Sequence, residues 1–147
     1  MRFLLLLGSL ASLTAGTVAA QSGIAIERSV YLERAETRGG RQVRALEPAD
    51  TLRKNDQVVL MLEWRAPDKD GAFVVSSRVP RDLAFRRGGG RKPQVSVDGG
   101  RNWGSLDTMR IGSRRATPED VTHLRWHVSG AEAALGSGTM SYSAIVR

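Results

Sequence analysis

The sequence contains no cysteine and only two histidines among its 147 residues. The absence of cysteine excludes disulfides, zinc–thiolate sites, cysteine nucleophiles and lipid attachment to a leading cysteine. Neither Asn55 nor Asn102 begins an Asn-x-Ser/Thr sequence, so the chain has no acceptor for N-glycosylation. A domain of this kind has to rely on side-chain packing for its stability.

Long apolar runs are confined to the N-terminus, where the first 20 residues have the order of a secretory signal peptide. Arg2 is followed by an apolar run to Leu13, and small residues then lead to Ala20. The run is short for a membrane-spanning helix, which needs roughly 20 apolar residues. We therefore predict a signal peptide over 1–20, cleaved after Ala20, rather than a buried N-terminal helix or a membrane anchor.

The remaining residues, 21–147, have the length of a single domain. Loss of Arg2 reduces the 22 basic residues to 21 against 15 acidic ones, so the formal charge of +7 becomes +6. Such a balance permits contact with anionic surfaces or polymers, although it can also serve solubility alone. The signal peptide predicts export to the periplasm, the outer surface or the extracellular space, in a bacterial envelope.

Apolar and polar residues alternate along several segments, as is typical of β-strands. The predicted strands are 23–35, 42–46, 57–64, 72–79, 94–97, 121–128 and 139–146. Segment 57–64 is apolar on both faces and is expected in the centre of a sheet. Residues 37–40 predict a hairpin turn, and only Ala131 to Leu135 could form a helical turn. About seven to eight short strands predict an all-β chain, either a two-sheet sandwich or a small barrel.

Alternate positions of these strands share one face and predict the hydrophobic core. Even-numbered residues are apolar both in 57–64 and in most of 121–128. The expected core residues are Leu60, Leu62, Trp64, Val74, Leu124 and Trp126.

The segment Asp98-Gly99-Gly100 is a strong hairpin signal and leads into Trp103. An Asp side chain can accept hydrogen bonds from backbone N–H groups of such a turn, and glycine readily adopts positive φ. The segment resembles the Asp-box hairpin of sialidase-type propellers, where the motif is structural and repeated. We predict a structural role for Asp98, Gly99, Gly100 and Trp103, and no glycosidase chemistry from a single copy.

Basic residues gather around three consecutive glycines, 88–90, and we predict a flexible basic loop over 86–92. The candidate anion-binding residues are Arg81, Arg86, Arg87, Arg91 and Lys92. No Gly-Lys-Ser/Thr leads into a helix, which excludes a P-loop. Basic side chains on a loop can still hold phosphate or sulfate groups. The absence of interleaved aromatic residues argues against base stacking, and no sequence-specific nucleic-acid binding is expected. The alternative is a solvated loop.

Neither a metal site nor a catalytic constellation is indicated. His123 and His127 fall in one predicted strand, where they would lie about 13 Å apart and could not share an ion. The segment from Asp68 to Gly71 imitates part of a calcium loop but lacks acidic ligands at both ends. No serine stands in Gly-x-Ser-x-Gly. We therefore predict no cofactor, no metal and no enzyme activity, with a small hydrolase as an unlikely alternative.

Four segments, taken in order, resemble the bacterial surface-repeat family called domain of unknown function eleven. They are KNDQVVLMLEW, AFVVSSRVPRDLAF, VSVDGGRNW and DVTHLRW, followed by a Gly-containing turn and a last strand. Pro80, Leu83 and Phe85 match the family's Pro and its Leu-x-Phe step, while residues 65–70 replace its Asn-x-Gly element. The resemblance covers residues 24–147. It implies an immunoglobulin-like antiparallel β-sandwich without known catalytic residues.

Two functions are expected from these observations. The first is a non-enzymatic exported structural or interaction module of the bacterial cell envelope, with an unknown protein partner. The second is a binding module for an anionic envelope polymer, such as lipopolysaccharide or an acidic glycan, through the basic loop. Binding of the second kind would weaken steeply with salt.

Overall fold

The computed structural model describes residues 23–66 and 71–147. The predicted signal peptide, 1–20, and the acidic part of the calcium-like turn, Asp68 to Asp70, lie outside the described residues. Within them the chain is all-β, as the alternation of apolar residues predicts, and the paired strands run antiparallel. No helix in these ranges is long and apolar enough to cross a membrane.

The described residues form ten strands, one short α-helix and two 3-10 turns. The strands are β1 (Ala25–Arg38), β2 (Arg41–Pro48), β3 (Gln57–Arg65), β4 (Phe73–Arg78), β5 (Leu83–Gly88), β6 (Gln94–Ser96), β7 (Arg110–Ile111), β8 (Arg114–Arg115), β9 (His123–Val128) and β10 (Ser137–Val146). The 3-10 turns are Leu106–Thr108 and Pro118–Asp120, and the helix, α1, is Gly130–Ala133. Strands β5, β7 and β8 have no counterpart among the predicted segments.

Strand β3 lies in the middle of a five-stranded sheet with the order β2-β1-β3-β10-β5. The central position that its two apolar faces predict is thereby confirmed. A second sheet has three strands in the order β4-β9-β6, and β7 and β8 form a separate short hairpin. The edge strands β5 and β6 follow one another along the chain, so the segment between them connects the two sheets.

Both sheets contribute side chains to one hydrophobic core. Leu62 of β3, Trp126 of β9 and Tyr142 of β10 are each at most 1% exposed. The rings of Trp126 and Tyr142, one from each sheet, lie 6.5 Å apart between centroids. Because aromatic rings remove large apolar areas from water, this contact is a main link between the sheets.

Five of the six predicted core residues are buried, namely Leu60, Leu62, Trp64, Leu124 and Trp126. The prediction for Val74 is wrong, because its side chain is 46% exposed whereas that of Val75 is 0% exposed. Two valines stand side by side on β4, and successive side chains of a strand point to opposite faces. Val74 pairs with His127 of β9 on the outer face of the three-stranded sheet.

The β1–β2 hairpin closes at the predicted turn. Gly39 and Gly40 both have positive φ, 59° and 77°, which marks a two-residue turn whose twist matches the flanking strands. Pairing of β1 with β3 ends where Leu32 faces Val58, whereas pairing with β2 continues to Arg38. The far half of the hairpin is therefore two-stranded.

The prediction of a flexible loop over 86–92 is wrong for its first half, which belongs to β5. This strand pairs with β10 along the edge of the five-stranded sheet. Its first three residues are apolar and buried, so packing favours a strand despite the charges and glycines that follow. The Gly89 N–H then donates to the Ser141 carbonyl at 2.8 Å, which continues the attachment beyond the strand.

Candidate anion-binding site

The hairpin after β6 is organised by the carboxylate of Asp98. Its Oδ1 accepts hydrogen bonds from the backbone N–H groups of Arg101 and Asn102, at 3.1 and 3.0 Å. The Asn102 amide and the Ser96 hydroxyl also donate to the carboxylate, at 2.6 and 2.8 Å. These hydrogen bonds, those from Asn102 first, hold the pKa of Asp98 well below its usual value. The carboxylate is thus occupied within its own turn.

The other predicted hairpin residues lie in the same turn. Gly99 and Gly100 have φ of 80° and 91°. Trp103 is half-buried, and its Nε1–H donates to the Gly100 carbonyl at 2.8 Å. The Gly99 N–H donates to the Thr122 hydroxyl at 3.0 Å, which ties the hairpin to the residue just before β9.

Four basic residues line a groove between the edge strands β5 and β6, with a volume of about 530 Å³. They are Arg86 and Arg87 of β5, Lys92 of the connecting segment and Arg115 of β8. Phe85, Val95 and Leu106 supply apolar lining, and Asp107 is the one acidic residue among the described lining residues. The groove therefore carries a net positive charge.

A neighbouring groove of about 420 Å³ shares Arg86 and Arg87 with the first and adds Arg44 of β2. The Arg44 guanidinium is paired there with Glu33 at 2.7 Å. Because the two grooves share two arginines, basic side chains line one path from β2 to β8. We call Arg44, Arg86, Arg87, Lys92 and Arg115 the basic track.

The basic residues predicted from sequence differ in whether their side chains form ion pairs. Within the part of the chain that the structure describes, the side chains of Arg86, Arg87, Lys92 and Arg115 form no ion pair or hydrogen bond with the protein. Like charges that share one groove repel one another, and an anionic ligand would relieve that repulsion.

Arg91, in contrast, is held by residues that are distant in the sequence. Its guanidinium donates to both carboxylate oxygens of Glu132, on α1, and to the His127 carbonyl. Arg91 first, and then the Ser129 N–H and hydroxyl, lower the pKa of Glu132 to about 2. Arg91 therefore anchors α1, and its charge is largely neutralised by Glu132.

Arg81 also lies away from the basic track. It lines a separate groove of about 300 Å³ with Arg78, Glu119 and Arg147. Of the five residues predicted from sequence, the structure brings together Arg86, Arg87 and Lys92. Sequence reasoning missed Arg44 and Arg115, which no local pattern marks because strand topology brings them to the grooves.

The two histidines lie on β9, as predicted, and their partners among the described residues are a threonine hydroxyl and a glutamine amide. His123 Nδ1 is 3.0 Å from the Thr122 hydroxyl, and His127 Nε2 is 3.2 Å from the Gln94 amide oxygen. In the described residues neither imidazole is hydrogen-bonded to a carboxylate. No group of three or more potential metal ligands occurs in ranges 23–66 and 71–147.

Comparisons with protein-family models, with curated proteins and with solved structures gave no match for this chain.

Proposed function

We propose that this chain is a non-enzymatic, exported binding module that holds an anionic polymer along the basic track. The observation that carries the proposal is that Arg86, Arg87, Lys92 and Arg115 line one groove, with no ion pair to their side chains among the described residues. Guanidinium and ammonium groups recognise phosphate and sulfate oxygens through charge-assisted hydrogen bonds.

The length of the track favours a polymer over a single small anion. Arg86 and Arg87 line both grooves, so successive anionic groups of one chain could contact successive basic side chains. Each neutralised charge releases a counterion from a polyanion, which makes such binding strongly salt-dependent. Phosphorylated or sulfated envelope glycans, including lipopolysaccharide, have this repeated charge.

We further propose that the fold is an immunoglobulin-like β-sandwich and that the chain acts in a bacterial cell envelope. Two antiparallel sheets around one core support the first statement, together with the resemblance of four sequence segments to the surface-repeat family. The second rests on the order of charged, apolar and small residues in 1–20.

The test uses residues 21–147 on a dextran sulfate column eluted with salt, and purified lipopolysaccharide as a second ligand. We expect Arg86→Ser, Arg87→Ser, Lys92→Ser and Arg115→Ser, combined in one variant, to elute at much lower salt. The slope of log affinity against log salt concentration should fall by roughly one unit for each contact removed.

A second variant keeps the same charge loss but places it elsewhere. Arg53, Arg65, Arg78 and Arg101 are exposed and lie outside the two grooves of the track. Their combined replacement by Ser should reduce retention only slightly. Equal loss in both variants would show that net charge alone drives retention and would overturn the proposal. Full retention of the track variant would do the same and would favour a structural module with a protein partner.

A further inference from the structure

A second polar surface lies on the outer face of the three-stranded sheet and shares no residue with the basic track. On β9, Leu124 and Trp126 face the core, so His123, Arg125 and His127 point to the opposite side. Strands β4, β6 and β9 contain no acidic residue. This face therefore presents basic and hydrogen-bonding groups without a carboxylate of its own strands.

Arg125 is held in one orientation at the centre of this face. Its Nε donates to the Gln94 amide oxygen at 2.8 Å, and its Cζ lies 4.6 Å from the centroid of the Trp103 ring. Trp103 is itself fixed, because its indole N–H donates to the Gly100 carbonyl and its ring meets His123 edge-on at 6.5 Å. Stacking and one hydrogen bond thus position the guanidinium before any ligand arrives.

The same contacts leave the outer edge of the guanidinium unused. Neither Nη group of Arg125 has a hydrogen-bond partner among the described residues, and Arg125 forms no ion pair there. A guanidinium edge of this kind matches a planar carboxylate with two parallel hydrogen bonds.

Polar side chains on both sides of Arg125 can serve further hydroxyl groups. Ser76 of β4 stands directly opposite Arg125 in the sheet register and is exposed. On the other side the Gln94 oxygen already contacts Arg125 and His127, and its amide nitrogen has no partner in the described part of the chain. Hydroxyl, amide and imidazole groups can donate to or accept from sugar hydroxyls.

We propose that this face binds a carboxylated sugar, such as a uronate, with both Nη groups of Arg125 holding the carboxylate. Gln94, Ser76 and His127 would bond to ring hydroxyls beside it. A uronate fits better than an acidic peptide, because the outer positions of the three strands carry mainly polar side chains, with Val74 as the exposed apolar one. The proposal does not depend on the function of the basic track.

The test is an NMR titration of ¹⁵N-labelled 21–147 with oligogalacturonate. We expect the Arg125 Nε–H and Trp103 indole N–H signals to shift, while the indole N–H of Trp126 in the core stays in place. Arg125→Gln and Arg125→Lys should each weaken binding by about tenfold or more, because Lys keeps the charge but loses the paired N–H groups.

The matched control is Arg78→Gln. Arg78 is exposed on β4 opposite His123, on the same face, and it carries the same charge without the contacts to Trp103 and Gln94. Its replacement should leave the affinity nearly unchanged. Equal weakening by Arg78→Gln and Arg125→Gln would overturn the proposal, because general positive charge would then explain the binding.

Two further ligands separate sugar recognition from charge. A neutral maltooligosaccharide of equal length and a polyglutamate peptide should both leave the Trp103 signal unshifted. A peptide response as strong as that of oligogalacturonate would contradict the assignment to a sugar. In the variant of the basic track with four Ser replacements, oligogalacturonate should still shift the Arg125 and Trp103 signals, so loss of dextran sulfate retention and loss of uronate binding at this face can be told apart. Loss of these two shifts in that variant would contradict a separate site.

Discussion

Two glycine-rich segments of this molecule need their glycines for different reasons. In the Asp98 hairpin, Gly99 has a φ of 80°, and a Cβ there would meet nothing within 4 Å. After β5, a Cβ on Gly89 would lie 2.1 Å from Ser141 Oγ and 3.0 Å from the Ser141 carbonyl oxygen. Glycine in the hairpin therefore supplies a backbone conformation, whereas glycine after β5 allows close approach to another strand.

This difference bears directly on the basic track. In the hairpin, the Asp98 carboxylate accepts hydrogen bonds from backbone N–H groups three and four positions away in the sequence. Gly89 instead contacts β10, which fixes the end of β5 against the sheet. Arg86 and Arg87 precede Gly89 on the strand that this hydrogen bond holds in place, so we expect the glycine to matter for the site.

Gly89→Ala should have the largest effect on the free energy of unfolding among the variants that test this difference. A Cβ at that position must displace the Ser141 hydroxyl and would also press on the Ser141 carbonyl oxygen at 3.0 Å, and overpacking of this kind costs about 1–3 kcal/mol. Urea unfolding of residues 21–147 would measure the loss, and elution from dextran sulfate should shift to lower salt.

The control for this variant is Gly90→Ala. A Cβ on Gly90 would meet nothing within 4 Å. Unfolding free energy and retention should therefore stay close to those of the unaltered protein. If both alanines destabilised the chain equally, the contact with Ser141 would not explain the effect, and the steric account of Gly89 would fail.

Gly99→Ala should give the next largest effect. A left-handed backbone costs a residue with a Cβ about 1–2 kcal/mol, and Asn tolerates it better than Ala. Gly99→Asn should therefore recover part of the loss in urea unfolding. At Gly89 the order should reverse, because the larger Asn side chain worsens the clash. If Ala and Asn ranked in the same order at Gly99 and at Gly89, the two glycines would not be needed for different reasons.

The same distinction explains what could be predicted from sequence. The Asp98 turn and the central place of β3 follow from neighbouring residues, so local chemistry and alternation are sufficient to predict them. The position of Arg91 cannot be predicted from neighbouring residues, because its partner Glu132 is 41 residues away. Arg115 enters the groove only through the arrangement of β5, β6 and β8, for which no nearby residue gives a signal.

The choice between adjacent apolar residues is equally beyond local reasoning. Val74 and Val75 have the same side chain, and only the register of β4 against β9 decides that Val75 faces the core. Strand β5 could not be predicted from local sequence either. Its three apolar residues are too few to show the alternation of a strand, and charged residues and a glycine follow them. In both cases contacts between distant strands determine the outcome.

The smallest expected effect concerns the charge in the hairpin. The Asp98 carboxyl has a pKa well below its usual 3.8, chiefly because of the Asn102 N–H and amide. A lowered pKa in the folded state means that the ionised form stabilises the fold above pH 4, and that this contribution is lost as pH falls further. Asp98→Asn should therefore lower the free energy of unfolding at neutral pH and flatten its decline in acid.

Urea unfolding at several values between about pH 6 and pH 2 would measure that decline. Some decline should persist in Asp98→Asn, because the pKa values of Asp120, beside Arg114, and Glu132, beside Arg91, are also lowered. Asp107→Asn removes an equal charge from an exposed residue outside the hairpin and controls for net charge. If the Asp98→Asn curve ran parallel to that of the unaltered protein, hydrogen bonds to the ionised carboxylate would not be what stabilises the hairpin. The backbone conformation of Gly99 and Gly100 would then be sufficient to stabilise the turn.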